Sequence, residues 1–177
     1  VYVKSETIHG RHDGRFKTLS KKIELYNQRY EKAGIDPMPV YRSPKRVPYG
    51  KFRLVVGRNA YITQGSSTNN TLLAELVPEN ELWIHPGAAT SLGIDTGDTV
   101  DVSSAVGTGR IKARLTKEIR PDTVYMDSGF GVLSKGLATV YGKGASIVDI
   151  IEDKNDEMTG NMAMHETIVS VKKSKSG

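Results

Sequence analysis

Short apolar runs that end at glycine, proline or polar clusters predict a series of β-strands between residues 51 and 171. The run that begins at Phe52 stops at Gly57. In residues 111–116 apolar and polar residues alternate, so this strand has one face toward solvent. Further strands are predicted at 82–84, 99–102, 124–126, 147–151 and 167–171, and Val148 is expected to be buried in its strand because it is β-branched and apolar.

Two short helices are predicted between these strands. Apolar residues over 72–76 predict the first, with Asn69 or Asn70 as its N-cap. Residues 86–92 predict the second, because a proline stands at its start and Gly93 follows its end. About six short strands without a regular strand–helix alternation favour a compact β-barrel with inserted helices over a doubly wound parallel sheet.

The first third of the chain has a different pattern. Apolar residues spaced three and four apart predict a helix over 20–33 with Ser20 as its cap, and Gly34 follows it. Four prolines in residues 36–50 predict an extended connector. The pattern therefore divides the chain into a lead-in arm (1–50), a barrel domain (51–171) and a disordered tail (172–177).

Composition narrows the classes of function. The 177 residues include no cysteine, which excludes a thiolate nucleophile and a cysteine-ligated iron–sulfur cluster within this segment. The net charge of +5 divides unevenly, with +8 in residues 1–53 and −3 in the remainder. The basic charges are scattered among acidic ones without a stacking pattern, so we expect no nucleic-acid partner. No apolar stretch approaches the roughly 20 residues needed to span a bilayer.

Several segments together resemble the dimethyl-sulfoxide-reductase family of molybdoenzymes. They are Gly57-Arg58 with the polar run 63–70, PENELWIHP at 78–86, and LGIDTGDTVDV at 92–102. The arm contributes KIELY at 22–26 and DPMP at 36–39, and the tail contributes MTG at 158–160 and ETIVSV at 166–171. The arm and the tail are most similar to the thiosulfate and polysulfide reductase branch, which acts in anaerobic respiration.

The resemblance implies a double-psi β-barrel that closes over bis(molybdopterin guanine dinucleotide). The molybdenum and its protein ligand belong to other domains of the full-length enzyme, so no catalytic residue and no metal ligand is expected here. We expect the isolated domain to be inactive and to lack the cofactor. The resemblance also implies a periplasmic parent enzyme. Its partners would be the remaining domains of the catalytic subunit, an iron–sulfur electron-transfer subunit and a membrane anchor subunit.

The cofactor implied by the resemblance carries pyrophosphates, so its candidate ligands are residues that offer phosphate a close backbone approach, hydrogen-bond donors or positive charge. Gly57 would let a phosphate approach the backbone without a Cβ clash, and Arg58 would supply a charge-assisted contact. The polar run offers hydroxyl, amide and backbone donors from Thr63, Gly65, Ser66, Ser67, Thr68 and Asn69. The resemblance adds Ser128, Gly129, Gly131, Ser146 and His165 as cofactor-binding residues. Val148 stands where the family commonly has asparagine, so it offers no polar side-chain contact.

Other functions remain open at this stage. The same domain could belong to a molybdoenzyme that acts on formate, nitrate or an arsenic oxyanion, because the substrate funnel is built mostly elsewhere. A free-standing double-psi barrel that binds a nucleotide or a protein partner is the alternative from another class.

Overall fold

The computed structural model describes residues 16–38, 40–156 and 160–175. By its internal contacts the chain divides into two compact units, Val1–Ser43 and Pro44–Gly177. The boundary predicted at residue 50 stays a prediction, as do the parts of the arm and tail that lie outside the described residues. Residues 1–15 of the arm and residues 158–159 of the MTG segment lie outside the described residues. In the described part, no helix has both the length and the apolar character needed to cross a membrane.

Among its described residues, the first unit contains one short helix, α1 (Gln28–Lys32), where the sequence predicts a helix over 20–33. That prediction is wrong at its N-terminal half. Lys21 has a φ of +59°, and the backbone N–H of Ser20 donates to Glu24 Oε1 at 2.8 Å, which forms a local turn instead. The Asn27 side chain then caps α1 by accepting from the Arg29 N–H. Ile23 is 68% exposed, so no packing on an apolar face holds a longer helix together.

The second unit is built from six strands, two α-helices and one short 3₁₀ helix (Gln64–Ser66) in the described residues. The strands are β1 (Phe52–Gly57), β2 (Glu81–Ile84), β3 (Thr99–Ser103), β4 (Thr108–Leu115), β5 (Thr123–Asp127) and β6 (Ile168–Lys173). The helices are α2 (Thr71–Leu76) and α3 (Pro86–Leu92). Asn70 caps α2, and Gly93 ends α3 with a φ of +64°, so both predicted helices are confirmed.

The strands form a closed barrel in the order β1-β5-β2-β4-β3-β6. β1 runs parallel to β5 and β2 parallel to β4, while the other neighbours are antiparallel. Exchanging β1, β2 and β3 with β4, β5 and β6 reproduces both the order and the pair directions. This internal two-fold relation is that of a double-psi β-barrel, as the resemblance implies, and the predicted fold is confirmed.

Alternating residues of each strand fill the barrel. β4 shows the pattern clearly, because Gly109, Ile111 and Ala113 are buried while the residues between them are exposed. Gly109 lacks a side chain because a Cβ there would lie 2.6 Å from the Ile150 Cδ1 atom. Ile150 is fully buried and belongs to the core cluster, so the segment that contains it closes one part of the barrel interior.

The structure contradicts the predicted strand at 147–151, the predicted burial of Val148 and the predicted start of the disordered tail. Residues 147–151 form a turn, since the N–H groups of Ile150 and Ile151 both donate to the Ile147 carbonyl at 3.1 and 2.9 Å. Val148 at the top of this turn is 72% exposed rather than buried. The tail is predicted to be disordered from Lys172, but β6 continues through Lys173. Lys173 Nζ lies 2.6 Å from Asp98 Oδ2, and this contact lowers the pKa of that carboxyl.

Candidate functional site

The ends of the two parallel strands β1 and β5 bring together the first group of predicted site residues. Gly57 pairs with Asp127 at the last position of the register, so the chains leaving both strands start side by side. The backbone N–H and the hydroxyl of Ser128 both donate to the Gly57 carbonyl, each at 3.1 Å. The segments that begin with Arg58 and with Ser128 are therefore joined at their origins.

Gly129 joins the polar run 63–70 to this pair of segments. Its φ is +101°, and a Cβ placed on it would lie 2.6 Å from the Gln64 carbonyl carbon and 2.7 Å from the Gly65 nitrogen. Only a residue without a side chain allows the two backbones to touch in this way. Gly65 and Gly129, which stand far apart in sequence, are thus direct neighbours.

Gly131 makes a second contact of the same kind, with the segment at 144–148. Its φ is +78°, and a Cβ there would lie 2.1 Å from the Ser146 nitrogen. The Gly131 N–H donates to the Lys143 carbonyl at 2.9 Å. The structure therefore brings four segments with predicted site residues together at one end of β1 and β5. They are residues 57–59, the run 63–70, the turn 128–131 and the segment at 144–148. We call these four segments the glycine loops.

His165 reaches the same neighbourhood from the chain that precedes β6. Its Nδ1 atom accepts a hydrogen bond from the Val56 N–H at 3.3 Å, one residue before Gly57. When the imidazole is neutral, its proton must then lie on Nε2, because Nδ1 uses its lone pair on Val56. The structure thus places His165 beside the Gly57 strand end, and its expected cofactor contact stays a prediction.

Some predicted groups are already used within the domain. The Asn69 Oδ1 atom accepts from the Thr139 N–H at 3.1 Å, and Thr68 is buried. The predicted reason for Gly57 is wrong, since a Cβ there would lie 2.4 Å from the Tyr125 ring, not in space open to a phosphate. Ser128 likewise uses its hydroxyl proton on Gly57, so these residues build the site more than they face a ligand.

Tyr125 and Asp127 form a network that sequence reasoning missed. The Tyr125 hydroxyl donates to Asp127 Oδ1 at 2.5 Å, and the Asn59 amide donates to Oδ2 at 3.4 Å. Burial raises the pKa of Tyr125 above its ordinary value, and the hydrogen bond to Asp127 raises it further, so the phenol stays a donor. Trp83 packs on Tyr125 with ring centroids 5.0 Å apart, which places the tryptophan on the outer face of the barrel.

Other groups at the glycine loops have no partner in the described part of the chain. Arg58 and Lys143 are exposed and form no ion pair or hydrogen bond through their side chains there. The hydroxyls of Thr63 and Ser66 are also without a partner among these residues. The backbone N–H groups of Gly65, Gly129 and Ser146 donate to no acceptor of the described chain. Within the described residues, the glycine loops and the adjoining Lys143 thus carry several unpartnered donors and two unpaired cations.

Comparison with known proteins identifies the family of this barrel. The family model described as "Molydopterin dinucleotide binding domain" matches residues 52–168, which begin with β1 and reach β6. The chain belongs to this family. The resemblance found in the sequence is therefore confirmed at the level of the domain, and the matched segment contains every predicted site residue.

Individual relatives agree with this family. The chain is 36% identical over 135 residues to the molybdopterin-containing subunit of thiosulfate reductase from Salmonella typhimurium, which covers 72% of this chain and 17% of that protein. It is 33% identical over 173 residues to the molybdopterin-containing subunit of arsenate respiratory reductase from Chrysiogenes arsenatis, covering 88% of this chain and 20% of that protein. The chain spans at most a fifth of the length of these relatives.

A solved structure supports the fold. Acetylene hydratase from Pelobacter acetylenicus superposes with a TM-score of 0.75 at 20% identity, over 93% of this chain and 25% of that chain. At this identity the likeness concerns the fold alone.

The donor set of the glycine loops fits a molybdopterin dinucleotide. A pyrophosphate needs N–H and O–H donors and positive charge, and the unpartnered N–H groups of Gly65, Gly129 and Ser146 with Arg58 and Lys143 supply both. Asp127 is the nearby acid, but it is buried and its oxygens accept from Tyr125 and Asn59. Both of its carboxylate oxygens therefore already accept hydrogen bonds within the domain.

Proposed function

We propose that this domain binds the outer part of bis(molybdopterin guanine dinucleotide) in a larger molybdenum enzyme that reduces thiosulfate or polysulfide. The observation that supports the proposal best is the meeting of four sequence-distant glycine loops that carry unpartnered backbone donors, with the exposed cations Arg58 and Lys143 in or beside them. When bound, the cofactor supplies the metal at which electrons reach the substrate. The domain's own residues would bind and orient the dinucleotide, and none of them would act on the substrate.

The proposed roles divide into contact and support. Arg58 would hold a phosphate by a charge-assisted hydrogen bond, and the N–H groups of Gly65, Gly129 and Ser146 would bind further phosphate or ring oxygens. Ser66 and Thr63 would add hydroxyl donors. Ser67, whose hydroxyl oxygen accepts from the Thr63 N–H at 2.6 Å, would shape the polar run. The remaining proposed site residues would shape the loops through the contacts described above; they are Gly57, Thr68, Asn69, Ser128, Gly131 and His165.

Replacing Arg58 in the full-length enzyme tests the proposal. A hydrogen bond to a charged group contributes about 1.5–3 kcal/mol, so Arg58→Ala should weaken cofactor binding by roughly 10- to 100-fold. The molybdopterin and molybdenum content per mole of purified enzyme measures this loss. Arg110→Ala is the matched control, because Arg110 is an exposed arginine that pairs with Asp101 on β3, a strand outside the glycine loops. Full cofactor content in the Arg58 variant would falsify the phosphate-binding role.

The substrate is the finer part of the proposal. Thiosulfate or polysulfide is favoured by the similarity to the Salmonella subunit, and its reduction would cleave a sulfur–sulfur bond with two electrons. An arsenic oxyanion is the second candidate, since the Chrysiogenes relative matches a larger share of the chain. Rates measured for the full-length enzyme with thiosulfate, polysulfide and arsenate under one set of conditions separate them. A rate with arsenate that exceeds both sulfur substrates would reject the first candidate.

The proposal extends to the compartment of the full-length enzyme and to its partner subunits. We propose a periplasmic catalytic subunit that receives electrons from an iron–sulfur subunit and is attached to a membrane anchor subunit. Fractionation of the native host with antibody to this chain, followed by identification of co-purifying subunits, tests both points. Recovery of the active enzyme from the cytoplasm without an iron–sulfur partner would contradict them.

A further inference from the structure

We propose that Asn80 is a positioning residue that sets the spacing between two of the glycine loops, and that cofactor retention depends on it although it contacts no cofactor. The inference rests on the proposed function for its cofactor part, while its structural part stands on the contacts of Asn80 alone. Neither the family match nor the relatives assign a role to this residue.

Asn80 lies directly before β2, and its side chain is buried between the chain leaving β5 and the segment at 144–148. It is 1% exposed. Its Nδ2 group donates to the Asp127 carbonyl at 2.7 Å and to the Ala145 carbonyl at 3.0 Å, while Oδ1 accepts from the Ala145 N–H at 2.9 Å. Both amide protons and one oxygen lone pair are thus in use.

The Asn80 side chain makes the backbone hydrogen bonds that a neighbouring β-strand would otherwise make with the two loops. Its amide exchanges two hydrogen bonds with Ala145, as a peptide group does with its partner in a sheet. The second amide proton holds the carbonyl of Asp127, the residue just before the 128–131 turn. One side chain therefore ties both loops to the same point, and each backbone group it binds would otherwise be buried without a partner.

Gly144 shows how closely the loop fits around this amide. A Cβ at Gly144 would lie 2.0 Å from Asn80 Oδ1, and its φ is +60°. The two residues are therefore coupled, because a side chain at 144 and the amide at 80 would occupy the same space. The Asn80 amide also fixes where Ser146 lies, two residues farther along the chain.

Backbone contacts carry the position of Asn80 onward to the other loops. Ser146 touches Gly131 without space for a Cβ, and Gly129 touches the backbone of Gln64 and Gly65 in the same way. A shift of the Ala145 segment must therefore move the turn at 128–131 or open a gap beside it. The Ser146 nitrogen takes part in the contact with Gly131, and Gly129 lies two residues before Gly131, so the separation of the Gly129 and Ser146 N–H groups is set indirectly by Asn80.

The experiment combines amide hydrogen exchange with cofactor content in the full-length enzyme. Asn80→Ala should raise exchange at least tenfold in peptides covering 127–131 and 144–148, and should speed cofactor loss on dialysis at least tenfold. The control is Ile111→Ala in β4, which truncates a 2% exposed core residue and leaves the loop hydrogen bonds intact. If the two variants lose cofactor in proportion to their loss of melting temperature, Asn80 is only a core residue and the proposal is overturned.

A double-mutant cycle keeps the proposal testable if Asn80→Ala folds poorly. Gly144→Ala alone should loosen the same two peptides, since its Cβ collides with the Asn80 amide. In the Asn80→Ala background the added effect of Gly144→Ala should be smaller, because the collision is gone. Additive effects of the two changes on exchange would overturn the coupling.

The outcomes separate this inference from the proposed function. Faster exchange in both loops with unchanged cofactor retention would overturn the positioning role while leaving the cofactor site in place. An enzyme that carries no molybdopterin even as wild type would overturn the proposed function, and the exchange data would still decide whether Asn80 sets the loop spacing.

Discussion

Gly131→Ala should harm the domain far more than an equivalent change at another glycine with positive φ. The matched control is Gly97→Ala, because Gly97 has a φ of +89° against +78° for Gly131 but has nothing within 4 Å of a built Cβ. Both substitutions place an L side chain in a left-handed conformation, which costs about 1–2 kcal/mol. The difference between the two variants therefore reports the contact with the Ala145–Ser146 backbone.

The size of that contact follows from the structure. The alanine Cβ would start 2.1 Å from the Ser146 nitrogen. Ordinary van der Waals contact needs about 3.4 Å or more, so the two backbones must separate by more than 1 Å. Overpacking of a closely packed site costs about 1–3 kcal/mol, which gives Gly131→Ala a total of roughly 2–5 kcal/mol.

Thermal and urea unfolding of the 177-residue chain measure the difference. For a barrel of this size each kcal/mol lowers the melting temperature by about 4 °C, so Gly97→Ala should lose about 4–8 °C and Gly131→Ala clearly more. In the full-length enzyme, Gly131→Ala should also lower molybdopterin content because the loops are pushed apart, whereas Gly97→Ala should not. Equal melting temperatures and equal cofactor content in the two variants would refute the argument that the loops are held in backbone contact.

Two further predictions concern residues around the glycine loops. Tyr125→Phe removes the donor to the buried Asp127 carboxylate and should cost about 1–3 kcal/mol in urea unfolding near neutral pH. Because folding raises the pKa of Tyr125, its contribution is present below the ordinary tyrosine range and is lost as pH rises through the folded value. Wild-type stability should therefore fall more steeply than that of Tyr125→Phe as pH rises above about 10; parallel curves would contradict this. Asn70→Ala removes the cap that accepts from the Leu72 and Leu73 N–H groups and should cost about 1 kcal/mol. Faster hydrogen exchange confined to α2 would support this, and unchanged exchange there would not.

Local sequence patterns predicted the elements whose structure depends on local causes. Asn70 was expected as a possible cap of α2 because a short polar side chain there can accept from the first free N–H groups of the helix. Gly93 was expected to end α3 because it follows the last apolar position, and its φ of +64° agrees. Alternation in β4 predicted which side chains enter the core. Each of these signals lies within a few residues of its effect.

The sequence could not predict features that depend on contacts between distant segments. Residues 147–151 contain the same apolar types as a strand, and only the fold shows that they close the barrel interior as a turn. Gly57 was assigned to a phosphate contact, but the Tyr125 ring on the neighbouring strand decides its identity. The PENELWIHP segment contains Asn80, but the sequence indicates no role for it, because its hydrogen-bond partners lie 47 and 65 positions away.

The surroundings of the glycine loops bear on how strongly the proposed site can act by itself. Large apolar side chains in or beside these loops are exposed, with Tyr61 at 63% and Val148 at 72%, so the described part of the second unit leaves them uncovered. Two unit charges 4 Å apart interact by about 1 kcal/mol in water but by about 4 kcal/mol at an effective dielectric constant of 20. An Arg58–phosphate contact would therefore be weak while solvent reaches it, and would strengthen once other parts of an enzyme cover both the loops and the dinucleotide. On this argument the free donors of the barrel supply position and charge, and the covering domains supply the low dielectric that makes those donors effective.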